Sequence, residues 1–358
     1  MKRFYSLFAL PLITAATWAN EPLPDRQTEL PAVKKENHGE YLQPRDLSKI
    51  PNTAFGEQVK RGYSLFVNSQ QMRGKYVGNE QNCVNCHMEA GRKANAAPLW
   101  AAYMAYPAYR KKNDRVNSYA DRIQGCFEYS MNGKAPAYDS PEIVALSAYA
   151  YWLAMGGLLD SYGMSDEAVP ELDIKALQVG GKTQDFPLPG AIAQALPVKE
   201  RGNLAGRGYP KIAAPKQEPS PERGALVYEK NCETCHRADG SGIKGADGSG
   251  IKGTDGHSYI PPLWGEFAYN WGAGMHRINT AAYFIYENMP LGKSVQLTEQ
   301  EAWDVAAYIN SHERPQDPRF KGSITANAEK YHQHQGYYGK TLNGKQIGKN
   351  AFASGTVE

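Results

Sequence analysis

The sequence predicts an all-α fold built from two copies of one helical unit in tandem, joined by a long irregular linker. Three observations predict it. The pattern C-x-x-C-H occurs twice, as Cys83-Val-Asn-Cys86-His87 and Cys232-Glu-Thr-Cys235-His236. Each copy is followed by Pro-Leu-Trp, at Pro98-Leu99-Trp100 and Pro262-Leu263-Trp264. Each is also framed by two helical signals. A glycine stands one helical turn before an aromatic at Gly62 and Phe66, and again at Gly224 and Tyr228; a closing Ala-Tyr follows at Ala148-Tyr149 and Ala307-Tyr308. The same signals in the same order mark a duplicated unit.

In chain order, residues 1–19 read as a secretory signal. Lys2 and Arg3 precede an apolar stretch from Phe4 to Ala16, and Thr17-Trp18-Ala19 offers a cleavage site. The stretch is too short to span a bilayer, and no later segment approaches the roughly 20 apolar residues that a span needs. The mature chain is therefore expected in the periplasm without a membrane span. Residues 20–54 form a Pro- and charge-rich arm. Residues 55–157 and 218–313 are the two units, residues 158–217 the linker, with a weakly helical patch around 174–179, and residues 314–358 a polar tail expected to pack on the surface. Losing Lys2 and Arg3 lowers the formal charge from +3 to +1, which excludes the basic balance of a nucleic-acid or membrane-surface binder. A tandem octapeptide, 238–245 repeated as 246–253, reads as an expanded surface loop.

The C-x-x-C-H pattern carries the chemistry. Its two thiols add to the vinyl groups of a haem, and the adjacent imidazole becomes an axial iron ligand. Cys83, Cys86, Cys232 and Cys235 therefore attach two covalently bound haem c groups, with His87 and His236 as iron ligands. Both units resemble the cytochrome c fold, in which the first and last helices cross closely. Gly allows the approach and the aromatic fills the crossing. A proline carbonyl after the motif is expected to receive the proximal imidazole N–H.

The opposite side of each iron decides the chemistry. In the second unit, Met289-Pro290 precedes Leu297-Thr-Glu-Gln-Glu-Ala302, which makes Met289 the expected thioether ligand and Met275 its rival. In the first unit two rulers disagree. Counted back from the closing Ala-Tyr, Met131 stands before Tyr149 almost where Met289 stands before Tyr308. Counted forward from Pro-Leu-Trp, Cys126 follows Trp100 almost as Met289 follows Trp264. Spacing leaves both open. Chemistry favours Cys126, the one thiol with no thioether role and no intramolecular disulfide partner.

The first unit also departs from a plain electron carrier. The stretch between Phe66 and Cys83 is much longer than that between Tyr228 and Cys232, and the extra part is polar and basic. Arg73, Arg92 and Arg122 cluster around the first motif in sequence, and a helix over 122–126 would put Arg122 on the face of Cys126. Forked guanidinium donors suit a small oxyanion.

On these residues the chain resembles the diheme cytochrome c thiosulfate dehydrogenases, also described as tetrathionate reductases. The resemblance covers residues 58–320. It rests on Val77-Gly-Asn79, Gly91-Arg92, Tyr106-Pro-Ala-Tyr109-Arg110, Arg122-Ile-Gln-Gly-Cys126-Phe, Ser130-Met-Asn-Gly133, Gly272-Ala-Gly-Met275 and Asn288-Met-Pro-Leu-Gly292. The resemblance implies His/Cys ligation at the first haem, by His87 and Cys126, with that haem as the active site. The second haem would be a relay with His236 and Met289. It further implies oxidation of two thiosulfates to tetrathionate with release of two electrons, reversal being open to the same site. Cys126 would be catalytic, Arg73, Arg92 and Arg122 would bind substrate, and a periplasmic or membrane-anchored cytochrome would exchange the electrons. The alternatives are a non-catalytic diheme electron carrier, with Met131 and Met289 on the irons, and a SoxA-like sulfur-oxidising cytochrome.

Overall fold

Thr53 opens the first helix of the computed structural model, its hydroxyl accepting from the Gly56 amide at 3.2 Å. The structure describes residues 44–161, 206–243, 260–293 and 295–355. The expected signal peptide, most of the arm, most of the linker with its helical patch, and most of the tandem octapeptide lie outside the described residues.

The first unit contains helices α1 (Ala54–Val67), α2 (Leu99–Met104), α3 (Tyr119–Gly125) and α4 (Pro141–Ser161), with a two-stranded hairpin, β1 (Ala108–Arg110) and β2 (Arg115–Asn117), between α2 and α3. The second contains α5 (Pro221–Asn231), α6 (Ile278–Asn288) and α7 (Glu299–Ile309). The tail adds α8 (Ile324–Tyr331) and a second hairpin, β3 (Thr341–Leu342) with β4 (Lys345–Gln346). The expectation of a strictly all-α class is therefore corrected to a mostly helical chain with two small hairpins. Strands this short carry too little alternation for periodicity to reveal them.

In both units the opening and closing helices cross where glycine permits. A Cβ at Gly62 would lie 2.0 Å from the Ala145 carbonyl oxygen of α4, and one at Gly224 would lie 2.0 Å from the Asp304 carbonyl oxygen of α7. Phe66 packs on Tyr149 at 5.9 Å between ring centroids, and Tyr228 on Tyr308 at 5.3 Å. Closing helix α7 starts at a capping box in which Thr298 and Glu301 satisfy each other's amides. Arg223 on α5 clamps the buried Asp304 of α7 with two bonds of 2.7 and 2.8 Å.

Amide side chains join the two units. Asn79 Nδ2 donates to the carbonyls of Ser130 and Ala268 at 2.8 and 3.1 Å, and Gln81 Nε2 donates to the Pro262 carbonyl at 2.6 Å. Asn270 Nδ2 returns to the Glu128 carbonyl at 2.8 Å, while Asn288 Nδ2 donates to the Asn95 carbonyl at 3.2 Å. The polar stretch before Cys83 thus serves this seam. The last part of the linker also touches both sides: the Gly206 carbonyl accepts from the Asn95 amide, and the Ala213 carbonyl from Trp303 Nε1.

The tail, whose composition suggested surface packing alone, does more. Trp271, Tyr338 and Ile347 form a small core of their own, and the Gly355 amide reaches Asn132 Oδ1 of the first unit at 3.3 Å.

Candidate active site

Ser118 and Asp121 close a capping box at the start of α3, which fixes the direction of the following turns. The helix runs to Gly125 and then widens into one π-helical turn, Cys126–Ser130, in which the Met131 amide donates to the Cys126 carbonyl at 2.9 Å. Such turns are uncommon and concentrate at functional sites. Here α3 and the π turn place Arg122, Ile123, Cys126, Phe127, Ser130 and Met131 on one wall of a cavity. Cys83, Cys86 and His87 line the same cavity, with Phe66, Leu99 and Leu146 supplying apolar surface. From the second unit come Tyr269, Ala273 and Met275.

Cys83 begins a short 3₁₀ turn and His87 follows it. The His87 Nδ1 lies 2.5 Å from the Ala97 carbonyl, which fixes the ring and leaves Nε2 as its ligand atom. Burial holds this imidazole at about 4, well below the usual histidine range, so it is neutral and able to coordinate. The acceptor is the carbonyl before Pro98, a correction of one position to the expected proline carbonyl. In the second unit the acceptor is a proline carbonyl as expected, that of Pro261, 3.1 Å from His236 Nδ1. This donor set, a thiol pair beside a neutral oriented imidazole in a mostly apolar cavity, fits a haem c group.

Arg122 lies beside Cys126, and a thiolate there would hold the guanidinium still more firmly protonated than usual. Tyr106, Tyr119 and Tyr209 also lie within electrostatic reach of it, and burial pushes all three phenols up, so they remain neutral. Among the described residues no carboxylate forms an ion pair with Arg122. A fixed cation beside a thiol, on an apolar wall, provides one binding point for an anion.

Of the three arginines singled out in the sequence, only Arg122 lines the cavity. Arg73 is exposed at the seam, its guanidinium 5.7 Å from the Phe267 ring centroid, and Arg92 donates to the Pro44 carbonyl at 3.3 Å. Met131 is buried on the cavity wall beside Cys126. Met289 and Met275, its rival in the sequence, both pack against the core of the second unit, and Met275 also lines the first cavity. Tyr209 escaped sequence reasoning because nothing in the linker composition ties it to a site so far back along the chain.

Two family models match the chain: the SoxA/TsdA cytochrome c domain over residues 70–157 and cytochrome c over residues 221–313. The thiosulfate dehydrogenase of Stutzerimonas stutzeri (strain A1501) is 44% identical over 330 residues, covering 91% of each chain. The chain belongs to the thiosulfate dehydrogenase family. The thiosulfate dehydrogenase of Thiomonas intermedia (strain K12) is 40% identical over 96% of this chain and 92% of that one. Among solved structures, the thiosulfate dehydrogenase (TsdBA) of Marichromatium purpuratum in its as-isolated form matches with a TM-score of 0.68 and 40% identity. That match covers 86% of this chain, which spans 57% of the solved one. As in a diheme member of this family, each cytochrome c domain carries its attachment motif, and the protein holds two covalently bound haem c groups.

Proposed function

We propose that the protein is a thiosulfate dehydrogenase that joins two thiosulfates into tetrathionate at the cavity of the first unit, releasing two electrons. The observation that carries this reading is the shared cavity: Cys126 and Arg122 line the same space as Cys83, Cys86 and His87. The bound haems supply two one-electron acceptors, matching the two electrons that leave when the central S–S bond forms. No proton is taken up or released in that balance.

The chain's own residues have distinct parts. Through Nε2, His87 would hold the iron of the first haem, its ring oriented by the Ala97 carbonyl. Cys126 would be its other ligand and the catalytic sulfur: once two electrons have left its thiolate and one thiosulfate to join their sulfurs, a second thiosulfate displaces the thiolate by ordinary exchange and departs as tetrathionate. Arg122 holds the dianion against Cys126 and lowers the repulsion between two such substrates. Apolar residues such as Phe127, Leu99 and Leu146 exclude water and strengthen that attraction. In the second unit Cys232 and Cys235 would attach the relay haem, and His236 and Met289 would hold its iron. The same site can run the reaction backwards, with direction set by the potentials of the two haems and of the partner cytochrome. The leader sequence and the c-type attachment support a periplasmic location in this reading. Among the described residues no helix is long and apolar enough to cross a membrane.

The test is Cys126→Gly in the full holoprotein, assayed by thiosulfate-dependent ferricyanide reduction. We expect two irons per chain to be retained while turnover falls by at least ~10³-fold, the scale for removing a covalent or nucleophilic group. Turnover within a few-fold of wild type would remove Cys126 from the mechanism, while a wild-type holoprotein with no thiosulfate-dependent turnover would leave a simple electron carrier.

A further inference from the structure

Away from both haem motifs, three imidazoles converge. His276 follows Met275 in the turn after Trp271, while His332 and His334 follow α8 in the tail. One ring nitrogen from each lies within 4.8 Å of the others. His276 Nε2 is 2.7 Å from His334 Nε2 and 3.2 Å from His332 Nδ1. A tetrahedral ion with metal–nitrogen bonds of about 2.0–2.1 Å holds its nitrogens about 3.3 Å apart, close to these two separations, and the third pair, within 4.8 Å, would draw in on binding.

The remaining nitrogens are fixed from behind. His276 Nδ1 meets the Ala273 carbonyl, and His332 Nε2 lies 3.0 Å from the buried Asp317 carboxylate, with Asn327 Nδ2 at 3.3 Å. Arg319 grips Asp317 in turn, with bonds of 2.6 and 2.9 Å. An imidazole backed by a carbonyl or carboxylate is the usual support of a metal-binding histidine. The proton count then poses a problem. With Nδ1–H of His276 given to Ala273 and Nε2–H of His332 given to Asp317, two lone pairs face each other at hydrogen-bond distance. A cation that accepts both lone pairs would relieve this.

We propose that His276, His332 and His334 bind one divalent transition-metal ion of the imidazole-preferring class, zinc or copper(II). Three neutral nitrogens leave a fourth position open for water. Asp317 contributes the one negative charge behind the site, and Arg277 and Arg319 weaken the attraction, so the affinity falls below that of a triad ringed by carboxylates. The ion pins the tail to the segment that carries Met275 onto the wall of the first cavity.

The experiment uses tag-free holoprotein with both haems, stripped with a chelator, dialysed against zinc or copper(II) sulfate and then against buffer. Metal is counted by mass spectrometry against the two haem irons. About one ion per chain is expected in wild type and below ~0.1 in His334→Ala and His334→Gln, the retained irons reporting that both variants fold. Zinc should also raise the Tm of stripped wild type by roughly 5 °C or more, and that of neither variant. Less than a tenth of an ion in wild type, or equal amounts in wild type and both variants, would overturn the site. A histidine cluster carrying a bridging proton alone gives that result.

Discussion

The helix crossing in the first unit can be tested with one methyl group. In Gly62→Ala the new Cβ would lie 2.0 Å from the Ala145 carbonyl oxygen, 2.6 Å from its carbon and 2.8 Å from Tyr149 Cβ. Two of those atoms are backbone, so no side-chain rotation relieves the clash and α1 must move bodily off α4. Forcing extra volume into a packed contact costs about 1–3 kcal/mol, occasionally more, and this contact belongs at the upper end. Alanine recovers about 1 kcal/mol of helix propensity. The net loss is then about 2 kcal/mol, or roughly 10–15 °C in Tm for a domain of this size. Thermal unfolding of the oxidised holoprotein, followed by circular dichroism and Soret absorbance, reads it directly. Gly125→Ala is the control, next to Cys126: its Cβ would come no closer than 3.8 Å to the Tyr129 ring, and φ is −65°. It should be neutral or stabilising by up to ~1 kcal/mol. A Gly62→Ala protein within ~0.5 kcal/mol of wild type, or a Gly125→Ala protein equally destabilised, would refute the close-crossing argument.

Three further outcomes are expected. Arg122→Met should raise the KM for thiosulfate at least ~10-fold, the value of one charge-assisted interaction, with two irons per chain retained; an unchanged KM removes Arg122 from substrate binding. Asn79→Ala leaves the Ser130 and Ala268 carbonyls without their donor and should cost about 1–3 kcal/mol in urea unfolding, whereas a negligible change would mean the seam does not depend on it. Burial holds Lys112, which donates to the Gly272 carbonyl at 2.5 Å, at about 6 against its ordinary 10.5. Between those values the unfolded chain binds the extra proton, so wild-type stability rises with pH through that window. Lys112→Met should therefore be more stable than wild type at pH 7, by a margin that shrinks towards pH 10; a constant margin contradicts the assignment.

What the sequence made legible was local. Gly62 with Phe66 and Gly224 with Tyr228 name the crossing because positions one turn apart on a helix share a face, and Thr298 with Glu301 announces a helix start. The C-x-x-C-H pairs state their chemistry outright, and the single-turn step from Arg122 to Cys126 was enough to put both on one wall. What escaped was non-local. Met275 reads as a ligand candidate for the second haem and does pack against that unit's core, but spacing counted along its own unit cannot show that it also reaches the first cavity. Arg73 and Arg92 are near the first motif in number but their guanidiniums meet Phe267 and the Pro44 carbonyl. His276 is far from His332 and His334 along the chain, and they meet only because the tail returns over Trp271, which polar composition does not reveal.

Most grips between the two halves land on peptide carbonyls: those of Ala268 and Pro262 on one side, of Glu128 and Asn95 on the other. A carbonyl survives nearly every substitution of the residue that owns it. The spacing of the two halves is thereby insulated from drift at those positions. The outward surface of the second half is free to diversify while that spacing holds.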